Sequence, residues 1–271
     1  MTKKIPSTGE AIPVIGIGSY ETFDVTSDPH KAEVRAILKA FYDNGGRLID
    51  SSPMYGNAES VIGEISEALG LHRSFLMATK VWTSGREQGI EQMNRSFARM
   101  KVEKMFLMQV HNLLDVDTHL KTLREWKKAG RLKYIGVTHY TESAYAHVER
   151  EIERGGLDFL QINYSLAERE AEKRLLPAAK ANGVAVIVNR PFAQGALFTQ
   201  VRGKTLPEWA KQHGIATWGQ FFLKFIVSHP AVTCVIPATR NPKHLLDNLG
   251  AGSGTLPDDH TRRRMMQDLA L

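Results

Sequence analysis

Short apolar runs alternate regularly with amphipathic runs along this chain, and this alternation limits the folds that it can adopt. Eight apolar runs predict β-strands at residues 14–18, 47–50, 75–80, 105–111, 132–138, 159–163, 184–189 and 232–237. Helices are predicted between and after them at 30–42, 57–69, 89–100, 117–128, 142–154, within 168–181, near 207–212, and at 217–227 and 242–249. Strands that are apolar on both faces, such as 184–188, are typical of parallel sheets covered by helices. Eight such units in 271 residues favour an α/β fold of the (β/α)8 TIM barrel type over an open doubly wound sheet.

The rest of the chain fits this one architecture. No linker or low-complexity stretch divides it, so we predict a single domain over residues 1–271. Residues 3–12 precede the first barrel strand and contain a turn signal at Thr8-Gly9. They predict an N-terminal β-hairpin over the barrel floor.

The charge and the cysteine content limit the partners and the cellular compartment that we predict for the chain. The net charge is +6, yet acidic and basic residues alternate in segments such as 168–174, which is typical of a solvated helix face. We therefore predict no nucleic-acid partner, while a small phosphate-bearing ligand stays compatible with local basic clusters. Cys234 is the only cysteine, which excludes an intrachain disulfide and favours a reducing compartment.

The N-terminus and the longest apolar runs bear on localisation. The basic N-terminal residues have no apolar segment behind them, and no apolar run approaches the length of a membrane span. The prediction is a cytoplasmic protein with no membrane partner, although an export signal removed from the sequence would leave no trace. The sequence does not predict an oligomeric state.

Ionisable side chains end three successive predicted strands. Asp50, Lys80 and His111 occupy these ends, and Tyr55 follows Asp50 by five residues in a loop, 51–56, that contains proline and glycine. A strand-end acid alone is often a helix cap, and a lone lysine or histidine after a strand is usually a solvated loop residue. In a barrel, however, the C-terminal strand ends form one functional rim. Their joint placement predicts that these four side chains converge there.

The chemistry of this group points to protonation of an alkoxide as it forms from a carbonyl. A tyrosine with a pKa near 10 is a poor proton donor at neutral pH, and a nearby ammonium lowers that pKa. Lys80 would supply the ammonium, Asp50 would keep it protonated, and His111 would hydrogen-bond the oxygen that gains charge. Since no side chain supplies hydride, a redox reaction would need a nicotinamide cofactor.

In these residues the chain resembles the aldo-keto reductases, a family of NAD(P)H-dependent (β/α)8 barrels. The resemblance covers nearly the whole chain. It is specific because Asp50, Tyr55, Lys80 and His111 match the family's motif residues in order, at intervals of 5, 25 and 31 residues. It implies that Tyr55 is the general acid, that Lys80 and Asp50 tune it, and that His111 orients the substrate carbonyl. The sequences of residues 109–113 and 136–140 are similar to those of a bacterial subgroup of the family.

The same resemblance implies NADPH as the cofactor, with NADH as the alternative. The matching positions near the nicotinamide are Gly18, Ser19, Asp50, Thr138, His139, Gln161 and Asn189, and those on the pyrophosphate side are Arg190, Phe192, Gln194 and Leu197. Three of them depart from the family pattern, and the first is Thr138, which stands where a serine is usual. His139 replaces the usual asparagine, and Asn189 replaces an aromatic residue that often stacks on the nicotinamide.

The end of the eighth strand carries the features of an anion site. A helix start at Pro242 lies among three basic side chains, Arg240, Lys243 and His244, and helix N-termini attract anions. In the family this segment holds the adenosine 2′-phosphate. The resemblance implies cofactor contacts for Thr239, Arg240, Lys243, His244 and Asn248, although Ala238 replaces a family lysine and His244 stands at a family arginine position.

The predicted substrate is a small-molecule carbonyl compound of apolar or aromatic character. Tyr20, Trp82 and Tyr140 would surround the pocket mouth, with Tyr55 and His111 at its base. No His-x-His pair ends a strand, so no metal site is predicted. Two alternatives remain: a Schiff-base lyase that uses Lys80, and an NADPH-binding redox-sensing or partner-binding subunit with little turnover.

Overall fold

The chain begins with a short antiparallel hairpin. The structure, a computed structural model, describes residues 1–269, and its hairpin consists of β1 (Thr2–Lys4) and β2 (Ala11–Pro13). The backbone N–H groups of Thr8 and Gly9 donate to the Ile5 carbonyl, and Gly9 has a φ of 75°, in the left-handed region that favours glycine. The predicted N-terminal hairpin is confirmed.

Eight parallel strands follow in chain order around a barrel. They are β3 (Ile17–Gly18), β4 (Leu48–Asp50), β5 (Leu76–Val81), β6 (Met105–His111), β7 (Leu132–Thr138), β8 (Phe159–Asn163), β9 (Ala185–Asn189) and β10 (Val232–Val235). Each strand pairs in parallel with its neighbours in the chain. Two single parallel bridges, Ile15 to Val235 and Gly18 to Ala238, join the first strand to the last. The predicted (β/α)8 barrel is therefore confirmed.

Helices cover the outside of the barrel. They are α1 (Asp28–Asp43), α2 (Ala58–Ala68), α3 (Arg86–Met100), α4 (Val116–Lys128), α5 (Tyr145–Arg154), α6 (Leu175–Ala181), α7 (Ala196–Gln200), α8 (Trp218–Ser228), α9 (Pro242–Gly250) and α10 (Asp259–Asp268). Short 3-10 helices lie at Glu142–Ala144, Glu170–Glu172, Ala193–Gly195 and Glu208–His213. Within residues 1–269, every helix falls short of the length or the apolar character that a bilayer crossing requires.

The helices differ from the prediction in three places. The segment near 207–212 forms a 3-10 helix that stops at Gly214, whose φ is 62°. Neither α7 nor α10 was predicted. The first has only five residues, too few for a periodic pattern, and α10 is strongly polar and buries only Thr261, Arg262 and Met265.

The first barrel strand is also shorter than the predicted 14–18, because ladder pairing covers only Ile17 and Gly18. A Cβ atom at Gly16 would lie 2.9 Å from the Leu48 carbonyl oxygen, and one at Gly18 would lie 3.0 Å from the Ile236 carbonyl oxygen. These glycines allow the backbones to approach closely at the seam of the barrel, but glycine weakens strand pairing.

The core has two layers, and their arrangement leaves one end of the barrel open. Ile5 and Ile12 of the hairpin join the side chains inside the barrel, including Leu107, Phe159 and Ile187. A larger layer fills the space between the strands and the helices. Since the hairpin covers the N-terminal strand ends, the C-terminal ends are the face on which a site can form.

Candidate active site

A cavity of about 650 Å³ opens at the C-terminal ends of the strands. That volume lies in the range of small-molecule sites. Its walls include Gly18, Ser19, Tyr20, Asp50, Tyr55, His111, Asn112, Thr138, Tyr140, Gln161, Asn189, Arg190, Phe192 and Gln194. The structure thus brings together most of the residues singled out near the nicotinamide, although they come from six different strands and their loops.

A buried ion pair forms the base of the cavity. The Lys80 ammonium lies 2.7 Å from Asp50 Oδ2 and donates a second hydrogen bond of 2.7 Å to the Ser51 carbonyl. The other carboxylate oxygen, Oδ1, accepts hydrogen bonds from Gln161 Nε2 at 2.9 Å and Gln109 Nε2 at 3.3 Å. Burial opposes the ammonium form, but the Asp50 carboxylate and the Tyr55 phenol outweigh it and raise the pKa of Lys80. Lys80 is therefore a fixed cation.

Tyr55 lies over this pair, with its ring centre 5.1 Å from Lys80 Nζ. The expectation that the ammonium lowers the phenol's pKa was wrong for the net effect, because burial raises the pKa of Tyr55 and outweighs the opposing influence of Lys80. The phenol consequently keeps its proton at neutral pH. A general acid has to be protonated before it can donate a proton, and the Tyr55 phenol meets this requirement.

His111 ends β6 beside Tyr55, and the two ring centres are 6.0 Å apart. Its Nδ1 lies 3.0 Å from the hydroxyl of Ser52. Burial, together with the charges of Lys80 and His139, lowers the pKa of His111 to about 2. The imidazole is therefore neutral across the physiological range and carries a single N–H.

This pKa predicts a pH-dependent stability. Because the unfolded chain protonates His111 near pH 6.5 and the folded chain does not, the free energy of unfolding should fall by about 1.4 kcal/mol per pH unit below pH 6.5 through this residue. Urea unfolding of the wild type and of His111→Asn at pH 7 and pH 5 would measure this change in the free energy of unfolding. The variant should lose less stability than the wild type between the two pH values. The exposed His30→Asn serves as the control. Equal slopes for all three proteins would contradict the buried neutral imidazole.

Aromatic rings surround the mouth of the cavity. Tyr20 packs edge-on against Tyr55 at 5.0 Å, and Tyr140 lies 4.2 Å from the Arg190 guanidinium. Trp82 lies beside the cavity rather than in its wall, with its ring 6.4 Å from His111. All three predicted substrate aromatics are partly exposed, at 54%, 38% and 40% for Tyr20, Tyr140 and Trp82. They present apolar surface next to the acid.

The Trp82 loop is held by two residues that the sequence analysis missed. The Gln92 side chain accepts from the Trp82 backbone N–H at 2.6 Å and donates to the Trp82 carbonyl at 3.0 Å. His119 Nε2 lies 2.6 Å from the Thr83 carbonyl. Spacing could not have revealed these contacts, because both residues lie on helices and act on backbone atoms.

Polar side chains line the opposite wall. Thr138 donates to Gln161 Oε1 at 3.2 Å, and Asn189 Nδ2 donates to the His139 carbonyl at 3.4 Å. The imidazole of His139 is not in the cavity wall, since its Nδ1 accepts from the backbone N–H groups of Tyr140 and Thr141. Within residues 1–269, Oδ1 of both Asn112 and Asn189 is buried without a hydrogen-bond partner. These two oxygens could accept from a ligand that carries N–H groups.

Of the residues expected on the pyrophosphate side, some line the cavity and one does not. Arg190 and Gln194 lie in the cavity wall with left-handed backbone conformations, φ 50° and 55°. Leu197 is fully buried in the core, so its side chain does not face the cavity. Phe192 both lines the cavity and packs against Phe198, 4.9 Å away.

The five residues expected at the adenosine end gather around the start of α9. Lys243 and His244 are exposed there, and Arg240 lies 4.0 Å from Glu33 of α1. Thr239 accepts from the Asn241 N–H at 3.0 Å, while Asn248 is buried. The α9 N-terminus is capped by Asn241 Oδ1, which accepts from the Lys243 N–H at 2.9 Å. None of them lines the cavity itself.

The charged groups of the described chain do not form a metal centre. Across residues 1–269, no group of three or more histidine, cysteine, aspartate or glutamate side chains is arranged to hold an ion. The titratable groups gathered at the base of the cavity are the ion pair, the phenol and the imidazole.

Comparison with known proteins places the chain in a family. The model of the Aldo/keto reductase family matches residues 14–264. The aldo-keto reductase YhdN of Bacillus subtilis is 26% identical over 210 residues, which cover 71% of this chain and 62% of that protein. The NADH-specific methylglyoxal reductase of Escherichia coli is 24% identical over 210 residues, covering 67% and 63%. The chain thus spans less than two thirds of the length of both curated relatives.

A solved structure agrees in fold. An aldo/keto reductase from Klebsiella pneumoniae, crystallised with NADP and acetate, superposes with a TM-score of 0.82 at 21% identity, and the match covers 96% of this chain and 93% of that one. With the family model matching most of the chain, the protein belongs to the aldo-keto reductase family.

Proposed function

We propose that this protein reduces an aldehyde or ketone to the alcohol with NADPH, and that Tyr55 is the general acid. The observation that carries the proposal is the buried Lys80–Asp50 pair, with a 2.7 Å ion-pair distance, directly beneath a protonated phenol in the cavity wall. Asp50, Tyr55, Lys80 and His111 would act as one unit.

The cavity fits a nicotinamide by its donor and acceptor set. Asn112 and Asn189 offer buried side-chain carbonyl oxygens that have no partner among residues 1–269, and Gln161 and Thr138 offer further polar atoms in the same wall. An aromatic amide with N–H donors would satisfy such acceptors. Gly18 and Ser19 would border it, and Arg190, Phe192 and Gln194 would continue toward the phosphates. When bound, this cofactor supplies the hydride.

Tyr55 would hold the transferable proton at its phenol oxygen. As negative charge develops on the substrate oxygen, the phenol donates this proton, and the Lys80 ammonium stabilises the phenolate that remains. Asp50 fixes Lys80 in place, while Gln109 and Gln161 fix Asp50. The buried pair thus acts on the acid and does not touch the substrate.

His111 would orient the carbonyl oxygen. Because its ring is neutral, it provides a hydrogen bond without competing as a proton source. Tyr20, Tyr140 and Trp82 would pack against the rest of the substrate, which supports an apolar or aromatic carbonyl compound.

The contacts of Lys80 oppose the Schiff-base alternative. A nucleophilic lysine must lose its proton and reach the substrate, whereas Lys80 is fully buried, has a raised pKa and is held by Asp50 and Ser51. A redox-sensing or partner-binding subunit differs from the proposed enzyme only in turnover, so measurement of turnover separates them.

The basic residues at α9 favour NADPH. Arg240, Lys243 and His244 lie around a capped helix N-terminus, which would attract a 2′-phosphate. The Klebsiella structure contains NADP, while the Escherichia coli relative is NADH-specific, so NADH is the alternative cofactor to compare.

The test is a steady-state assay of cofactor oxidation against aldehydes, ketones and quinones, with NADPH and NADH compared for each. We expect NADPH-dependent turnover with aromatic or apolar carbonyls and formation of the corresponding alcohol. Tight NADPH binding without turnover on any carbonyl would instead support the sensor alternative and contradict the proposal.

A further inference from the structure

Ser52 lies in the loop between Asp50 and Tyr55, where its side chain is fully buried against His111. Its Oγ is 3.0 Å from His111 Nδ1 and also accepts from the Met54 backbone N–H at 3.4 Å. Ser52 is therefore the hydrogen-bond partner of His111 Nδ1.

The protons of this contact can be counted. A neutral imidazole has one N–H and one bare nitrogen, and a serine hydroxyl has one proton to donate. If Nδ1 carried the imidazole proton, it would donate to Ser52 Oγ, and the serine proton would need another acceptor. Within residues 1–269, no other acceptor for the Ser52 hydroxyl is found. A fully buried hydroxyl proton without a partner is strongly disfavoured.

The alternative arrangement satisfies both Ser52 Oγ and His111 Nδ1. Ser52 Oγ accepts from the Met54 N–H and donates its own proton to a bare Nδ1. The imidazole proton then sits on Nε2, at the far side of a ring that lines the cavity. Nε2 has no hydrogen-bond partner among the described residues, so its N–H is available to a ligand.

We infer that Ser52 is a positioning residue that fixes His111 as the Nε2–H tautomer and so makes it a hydrogen-bond donor to the substrate carbonyl. The hydrogen bond from His111 to the substrate rests on the proposed function, but the tautomer of His111 can be measured without turnover. Nothing in the strand-end pattern marks Ser52, because the contact requires β4 and β6 to place the loop and the imidazole together.

The direct test is the tautomer of His111 by nitrogen-15 NMR. Long-range proton–nitrogen correlation at pH 7 distinguishes a bare Nδ1 from a bare Nε2, and loss of the signal in His111→Asn identifies the residue. We expect a bare Nδ1 and a protonated Nε2 in the wild type. A protonated Nδ1 would overturn the inference, and this readout needs no variant of Ser52 that folds.

A pair of variants tests the cause. Ser52→Ala removes the donor, so the His111 signals should lose the single-tautomer pattern. Ser51→Ala is the matched control, since Ser51 is equally buried in the same loop but its hydroxyl accepts from Ser19 at 2.9 Å and is not bonded to His111. An unchanged tautomer in Ser52→Ala, or an equal change in both variants, would overturn the positioning role.

The kinetic consequence is separate from the tautomer. With a carbonyl substrate that is turned over, Ser52→Ala should lower kcat by about tenfold, the effect of one lost hydrogen bond, with KM for NADPH unchanged. Failure of the wild type to reduce any carbonyl would contradict the proposed function and leave the NMR result standing. A protonated Nδ1 in a protein with normal turnover would overturn the inference about Ser52 and leave the proposed function standing.

Discussion

We expect Tyr55→Phe to lower kcat by about 10²–10⁴-fold while NADPH binding stays close to the wild-type value. Phenylalanine retains the ring that packs against Tyr20 and His111 but removes the only proton that this position can donate. The remaining groups are poor substitutes, because Lys80 is held by Asp50 and Ser51 and His111 is neutral. The measurement is NADPH oxidation with a saturating carbonyl substrate, together with a fluorescence titration of NADPH.

The matched control is Tyr42→Phe, which removes a phenol hydroxyl far from the cavity. Tyr42 packs against Phe75 and Arg47 on the outside of the barrel. Its variant should have wild-type turnover. If Tyr55→Phe also had wild-type turnover, the acid would be a different group.

The second large effect is expected for Lys80→Met. This variant leaves the Asp50 carboxylate buried without its cation, and breaking a buried ion pair on one side costs about 3–5 kcal/mol of stability. Turnover should also fall by at least about 10²-fold, because the phenolate of Tyr55 would lose its counter-charge. Urea unfolding would measure the first effect and NADPH oxidation the second.

A double variant separates the two effects. Lys80→Met combined with Asp50→Asn removes the unpaired carboxylate, so it should regain part of the lost stability while turnover stays low. Gln109 and Gln161 would still be present to hydrogen-bond the amide oxygen that the second substitution introduces. A Lys80→Met protein as stable as the wild type would contradict the role of the ion pair.

The barrel and the position of its rim were predictable because both depend on local patterns. Runs such as 105–111 and 132–138 are apolar and bounded by breakers, and the structure has strands with the same limits. Asp50, Lys80 and His111 stand at strand ends, and in a parallel barrel all such ends point the same way. Their convergence followed from topology alone.

What could not be predicted depends on register or burial. Gln161 donates to Asp50 across 111 residues, a contact that exists only because β8 and β4 have a particular alignment around the barrel. Gln109 shares a strand face with His111, two residues away, and this period-two spacing was the one available signal for it. The pKa of Tyr55 shifted upward rather than downward, because burial outweighs the nearby charge and burial cannot be read from spacing.

The most direct measurement follows a deuterium atom from cofactor to product. NADPH deuterated at one or the other C4 position would be supplied with an aromatic aldehyde, and the alcohol would be analysed by mass spectrometry and NMR. We predict one deuterium on the carbinol carbon from one of the two labelled cofactors, with formation of this product strongly slowed in Tyr55→Phe. Unlabelled alcohol from both cofactors, or an adduct of the aldehyde trapped on Lys80 by borohydride, would contradict hydride transfer with Tyr55 as the acid.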